Sequence, residues 1–270
     1  LDHGDRIAVA ISGGKDSLTS LYFLDKIMKK RKDISIYAIL IDEGIEGYRE
    51  HGIKNAISFC KKLGISLVIA SFADEFGASL DKMVAEGKKI DKAVRACTYC
   101  GVFRRNLLNS TARDLGATKL VIGHNLDDEA QSIIANYIRG DILRSARLGA
   151  KALVVEDERF VARIKPLRDI PEKEVALFAL LNDIPADFSE CPYAQESFRW
   201  SVRDMINNLE EKYPGTKYSI VRTFDQMLPF LKKTFASGKI SSCKTCGEPS
   251  NNSKCKTCIL LEKLKINTHK

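Results

Sequence analysis

No long apolar run occurs in this 270-residue sequence. None approaches the roughly 20 residues that a bilayer-spanning helix needs, so membrane insertion is not expected. Residues 1–6 lack the basic start and apolar core of a cleavable signal, which sets export aside and makes the cytoplasm the expected location. A leading methionine is also missing, and the first apolar run begins only a few residues in, so natural sequence is expected to precede Leu1. No long internal repeat is found, which sets solenoid architectures aside.

What is present is ordinary in bulk and uneven in charge. Hydrophobic content of 44% and charged content of 29% suit a folded α/β domain with a small appendage. Formal charge is +8, and the segment 239–270 holds seven lysines against Glu248 and Glu262, +5 of that total. Such a surface suits a polyanion such as RNA, and equally plain solvation. Eight cysteines in a cytoplasmic chain argue for ligands or catalysts rather than disulfides. They form three C-x-x-C pairs, Cys97 with Cys100, Cys243 with Cys246 and Cys255 with Cys258, while Cys60 and Cys191 stand alone.

Apolar runs of strand length at 7–11, 34–41, 65–70 and 120–122 alternate with helix-length periodic segments, among them 17–30 and 49–63, the latter stopped by Gly64. This pattern predicts a doubly wound parallel sheet with ligands at the carboxyl ends of its strands. Three loops converge there, at 12–17, 42–44 and 123–128. After Lys165 and Pro166 the pattern turns helical, with helices expected over 172–181, 197–212 and 217–234, and the cysteine-rich tail follows a flexible-looking stretch at 236–239. The expected division is a nucleotide domain over 1–170, a helical part over 171–238 and a zinc ribbon over 239–270.

Ser12-Gly13-Gly14-Lys15-Asp16-Ser17 follows the first strand directly. Two glycines let backbone amides approach a phosphate, and a helix start just beyond adds its positive end. The turn lacks the four-residue spacer of a Walker A loop. It resembles the pyrophosphate loop of the N-type ATP pyrophosphatases, or PP-loop proteins. Further strings resemble the tRNA 2-thiouridine synthesis group, nearly over the full chain: Asp42-Glu43-Gly44-Ile45, the run from Cys97 through Gly101, Val102 and Phe103 to Arg105, Gly123-His124-Asn125-Leu126-Asp127-Asp128, Arg139-Gly140-Asp141 and Glu190-Cys191. The run from Cys100 to Arg105 is most similar to the wobble-uridine thiolation proteins of archaea and eukaryotes. The enzymes acting on the T-loop uridine are near relatives.

The resemblance implies an adenine nucleotide α-hydrolase-like fold and a reaction in two parts. ATP lies with its pyrophosphate on Ser12, Gly13, Gly14, Lys15, Asp16 and Ser17, with Ala10, Ile41, Gly123 and Asp128 completing the nucleotide site. The C2 oxygen of a tRNA uridine is adenylated, and sulfur then replaces it. A carbonyl oxygen leaves poorly and AMP leaves well, while Lys15 and bound Mg²⁺ neutralise the departing pyrophosphate. Asp128 is the acid expected to hold Mg²⁺ or move a proton, and helix capping explains at least one of Asp127 and Asp128. Arg104 stands where relatives carry a catalytic basic residue; arginine stabilises an anion but does not act as a base. For His124, contact with nucleotide and a satisfied core position weigh equally.

For Cys97, Cys100 and Cys191 the resemblance implies a [4Fe–4S] cluster with one iron free to pass on sulfur. The residues alone also allow a redox dithiol, a persulfide carrier or a zinc site. Cys243, Cys246, Cys255 and Cys258, as C-x₂-C-x₈-C-x₂-C, give a strong zinc signal of structural type. Lys239, Lys244, Lys254 and Lys256 there, and Arg139, Arg144, Arg147, Arg199 and Arg203 elsewhere, are candidate tRNA contacts. Cys60 is expected to be a buried thiol. The sulfur donor is open among sulfide, a persulfide and a ubiquitin-like carrier. A homodimer is implied by family likeness alone, and family members commonly carry an N-terminal zinc module. The rival readings are an adenylating enzyme that delivers ammonia, for which no glutaminase segment is seen, and a non-catalytic tRNA-binding subunit, against which the intact 12–17 turn argues.

Overall fold

A computed structural model of the chain describes residues 1–93, 95–149, 157–185, 189–235 and 240–266. Five parallel strands form one sheet: β1 (Arg6–Ile11), β2 (Ser35–Asp42), β3 (Leu67–Ser71), β4 (Lys119–Ile122) and β5 (Ala162–Ile164), in the order β3-β2-β1-β4-β5. Strand order reverses between β1 and β4, so the loops after these two strands flank a crevice at the carboxyl edge. The pleat of β1 sends Ile7, Val9 and Ile11 to one face and Ala8 to the other, and both faces are buried. Helices α1 (Lys15–Met28), α2 (Arg49–Leu63) and α8 (Glu172–Leu181) are associated with the first face. On the second lie α3 (Phe72–Phe76), α4 (Leu80–Ile90) and α5 (Ala96–Asp114), where Phe72, Phe76 and Phe103 pack edge to face or tilted.

A third apolar cluster joins α6 (Leu126–Ile138), α9 (Phe198–Lys212) and α10 (Thr216–Phe235) through Leu126, Ile133, Val202, Ile206, Val221 and Phe224; the short α7 (Ile142–Ala146) lies alongside α6 and α10. The C-terminal ribbon has β6 (Ser241–Ser242) antiparallel to β7 (Pro249–Ser250), then α11 (Lys256–Lys263). It does not stand apart: Leu260, Leu261 and Leu264 enter the core beneath α5, and Arg113 of α5 holds Glu248 at 2.5 and 3.1 Å.

The doubly wound sheet agrees with the expectation, and α2 stops where expected because Gly64 takes φ +70°. α1 begins at Lys15, earlier than position 17, since Gly14 serves as its N-cap. β5 went unpredicted: three half-buried residues, one of them Arg163, become a strand only by pairing with β4. The stretch 236–239, with Lys239 and a proposed domain boundary, lies outside the described residues. Among the described residues no helix is long and apolar enough to cross a membrane.

Candidate active site

The turn after β1 is locked against α2 by two glycines. Gly13 has φ +85°, and a Cβ there would lie 2.0 Å from the carbonyl oxygen of Gly52; a Cβ on Gly52 would lie 2.5 Å from that of Ser12. Neither position admits a side chain. Ser17 Oγ accepts the Ser12 amide at 3.0 Å and donates to the Gly14 carbonyl at 3.0 Å, which closes the turn on itself. No side chain caps α1, a helix of 14 residues, so its first-turn amides and positive end are free for an anion. Gly123 brings the end of β4 against the same turn: a Cβ on it would meet the Ser17 nitrogen at 2.9 Å.

Charged groups fill the mouth. Lys15 Nζ lies 2.9 Å from Asp16 and 2.8 Å from Glu172. Burial pulls the Lys15 ammonium down, but Asp16 and Glu172 outweigh it and its pKa is raised. Burial pushes the Asp16 carboxyl up, against Lys15 and a 3.0 Å hydrogen bond from Asn125. Asp128 forms a reciprocal capping box with Asn125 and pairs with Arg199 at 2.5 Å. Burial alone would raise its pKa, yet Arg199 and His124 hold it below the ordinary carboxylate value. Capping thus falls on Asp128. The neighbouring Asp127 has a bracing role instead, binding Lys217 of α10 and accepting the Glu172 amide at 2.8 Å. His124 sits at the rim with its side chain 45% exposed and 3.9 Å from Glu129, and partial desolvation together with Lys165 and Arg199 lowers its pKa.

Beside the turn, a small cavity is lined by Ser12, Gly14, Tyr48, Arg49, Gly52 and Ser189, which brings the segment leading to Cys191 to the phosphate turn. Cys97 and Cys100 occupy the first turn of α5. The buried stripe Tyr99, Phe103 and Leu107 anchors that helix and sets Cys100 one turn from Arg104. Arg104 donates to Cys100 Sγ at 2.8 Å, and Cys97 Sγ approaches the Tyr193 carbonyl at 3.9 Å. Burial pushes the Cys100 thiol up to about 11, Arg104 opposing and Cys191 and Cys97 adding. Cys97 is raised too, by burial and by Cys191. Cys100 and Cys191, 91 positions apart in sequence, pack against the same apolar core.

Among the described residues, the one set of potential ligand atoms all within 4.8 Å of one another is that of Cys243, Cys246, Cys255 and Cys258. For Cys97, Cys100 and Cys191, a donor set of three soft thiolates fits a cubane cluster, which takes each thiolate on a different iron and leaves one iron without a protein ligand. The C-terminal four fit one zinc: Cys243 to Cys258 is 3.8 Å and Cys246 to Cys255 is 3.6 Å. Tetrahedral coordination with Zn–S near 2.3 Å requires sulfur separations of about 3.8 Å. Backbone amides of Cys255 and Cys258 point at Cys243 and Cys255 sulfurs, at 3.2 and 3.4 Å.

Residues 2–208 match the family model described as a PP-loop domain. The chain is 37% identical over 264 residues to the tRNA 2-thiolation protein NcsA of Haloferax volcanii, covering 95% of this chain and 81% of that protein. It is 37% identical to the cytoplasmic tRNA 2-thiolation protein 1 of Aspergillus niger, covering 99% and 76%. The chain belongs to the PP-loop family, among the tRNA 2-thiolation proteins. A solved structure of the U34-tRNA thiolase NcsA from Methanococcus maripaludis with its [4Fe–4S] cluster superposes with TM-score 0.83 at 40% identity, covering 98% of this chain and 82% of that one.

In this PP-loop protein the expected residues gather at one edge of the sheet: Ala10 and Ile41 near the ends of β1 and β2, the 12–17 turn, Gly123 and Asp128, with Cys97, Cys100 and Cys191 alongside. Sequence reasoning missed several partners. Arg49, with only 7% of its side chain exposed, donates to the carbonyls of Ser12 at 3.0 Å and Ile41 at 2.7 Å and pairs with Glu43 at 2.7 Å; Glu43 also holds Arg104 at 2.6 Å. Glu172 on Lys15 and Tyr193 beside Cys97 were missed as well. The available signal was a charged pair, Glu43 and Arg49, around a glycine-rich connection. Of the candidate tRNA arginines, Arg199, Arg203 and Arg144 are engaged by Asp128, Glu190 and Asp141, while Arg139 lies over the Phe198 ring at 4.4 Å.

Proposed function

We propose that this chain is a cytoplasmic, ATP-dependent tRNA uridine 2-thiolase acting at the wobble position. The observation that carries the reading is the junction of two half-sites: Ser12 and Gly14 share a cavity with Ser189, just before Cys191, which packs against the same core as Cys100. ATP phosphates lie on Ser12, Gly13, Gly14, Lys15, Asp16 and Ser17, with Ala10, Ile41 and Gly123 walling the nucleotide. Asp16 and Asp128 present the hard oxygens that Mg²⁺ prefers. The uridine C2 oxygen attacks the α-phosphorus and pyrophosphate leaves, its charge met by Lys15, which exchanges its carboxylate partners for phosphate. Sulfur then adds at C2 and AMP departs with the original oxygen. Arg104, fixed by Glu43, stabilises charge at that carbon and is not a base.

A [4Fe–4S] cluster held by Cys97, Cys100 and Cys191 supplies, when bound, an iron without a protein ligand as a place for inorganic sulfur. Zn²⁺ on Cys243, Cys246, Cys255 and Cys258 has a structural role. The nucleotide part over 1–170, the helical part over 171–238, which contributes Cys191 and Arg199, and the ribbon over 239–270 divide the work, and two copies form a homodimer, testable by sedimentation. The deciding experiment reconstitutes the protein anaerobically and analyses nucleosides of tRNA incubated with ATP, Mg²⁺ and sulfide. The expected product is 2-thiouridine at the wobble position. A loaded protein that yields none with sulfide, a persulfide or a carrier thiocarboxylate overturns the reading; product with only one of the three identifies the donor.

A further inference from the structure

We infer that Arg49 and Glu43 form a charged bridge that couples occupancy of the phosphate turn to the three-cysteine site, with Glu43 the positioning residue at its centre. The inference rests on the two-part reading above and adds a link between the parts. The path runs from the Ser12 carbonyl to Arg49 at 3.0 Å, from Arg49 Nε to Glu43 Oε2 as an ion pair at 2.7 Å that lacks hydrogen-bond alignment, from Glu43 Oε1 to Arg104 at 2.6 Å, and from Arg104 to Cys100 Sγ at 2.8 Å. Each carboxylate oxygen serves a different guanidinium, and the Glu43 side chain is 4% exposed. A buried carboxylate that loses one partner is strongly destabilised unless the other compensates, so its two ends respond together. Arg49 also grips the Ile41 carbonyl, and the Gly13–Gly52 contact fixes the turn to the helix that carries Arg49. A polyphosphate on the turn draws Arg49 toward its mouth, Glu43 shifts its charge onto Arg104, and Arg104 loosens from Cys100.

Coupling of this kind is reciprocal: a cluster on the cysteines changes nucleotide affinity by the factor through which nucleotide changes the cluster site. The test titrates α,β-methylene-ATP with Mg²⁺ into cluster-loaded and cluster-free protein by calorimetry. In the wild type the two Kd values are expected to differ by about fivefold or more. In Glu43→Gln, binding persists and the ratio falls to one. A wild-type ratio of one, or a wild-type ratio retained by Glu43→Gln, overturns the bridge and leaves the proposed function standing. A wild type that does not bind the analogue overturns the function itself. If Glu43→Gln does not fold, Arg104→Gln, at a side chain 46% exposed, decides by the same ratio. If a variant folds but takes up no cluster, the alkylation rate of Cys100 by iodoacetamide, mapped by mass spectrometry with and without the analogue, decides instead: a nucleotide effect in the wild type that vanishes in the variant supports the bridge, and an effect that persists overturns it.

Discussion

In the C-terminal ribbon four sulfurs lie within 4.8 Å of one another, with two backbone amides aimed at them; at the mouth of the sheet are three cysteines, Cys97, Cys100 and Cys191, with an arginine on one thiol and Cys97 exposed. The ribbon set comes from one short segment and has the donors to saturate a tetrahedral ion by itself. The cleft set comes from a helix start and a distant loop, and its geometry depends on everything between them. Closure suits stability, and an incomplete ligand set beside a nucleotide turn suits chemistry. The sharpest way to break this contrast is Cys191→Ala. We expect 2-thiouridine to fall to background in nucleoside analysis while nucleotide still binds, with the affinity of the cluster-free wild type, because the phosphate turn itself is untouched. Product at the wild-type level would return the cleft cysteines to an ordinary structural role.

Next in size is the converse. Cys243→Ser removes one of the four clustered sulfurs from a segment whose α11 leucines lie in the main core, so the loss is expected to spread beyond the ribbon. A drop in melting midpoint of about 10 °C, with loss of bound zinc, follows if several kcal/mol of metal binding support the fold. Nucleotide binding at low temperature should survive. An unchanged midpoint would make the ribbon an independent appendage. A smaller effect belongs to the cleft alone. Arg163 donates to the Arg105 carbonyl at 3.4 Å, and Arg105 is lowered by burial and by Arg144, Arg104 and Arg147, and Arg163 to about 10 by burial and Arg105, so cationic groups neighbour one another there. If tRNA phosphates relieve that repulsion, Arg105→Ala with Arg163→Ala should reduce the salt slope of tRNA binding by about one to two, leaving zinc content unchanged. An unaltered slope would place the RNA elsewhere.

How much of this was legible in the sequence depended on distance along the chain. The 12–17 turn, the stop at Gly64 and the ribbon's paired spacing are local, and pattern alone found them. Arg49 reaches back 37 residues to Ser12, and Lys15 meets Glu172 across 157, so no spacing rule exposes either. Asp127 and Asp128 are adjacent and chemically alike, yet one braces Lys217 and the other faces Arg199; only the packing of α9 and α10 on α6 tells them apart. Cys191 was attached to Cys97 and Cys100 by family likeness, and the fold supplies the physical reason, a segment that returns past the phosphate turn.

The smallest expected effect concerns Cys60, the cysteine that belongs to neither group. It lies 2% exposed on α2 within the β1 and β2 core, and burial pushes its thiol from 9.0 to about 11. The folded state therefore binds this proton more tightly than the unfolded chain. That contribution to stability is fully present below the ordinary thiol pKa and is lost as pH rises toward and through about 11. Denaturant titrations from neutral pH upward should show the wild type losing stability above pH 9.0 more steeply than Cys60→Ala, which at neutral pH costs about 1 kcal/mol through the lost packing. Parallel curves would mean that Cys60 ionises freely in the fold and that burial does not separate it from the ligand cysteines. Its alkylation in the native protein should follow the unfolding rate, whereas exposed Cys97 in cluster-free protein reacts without unfolding.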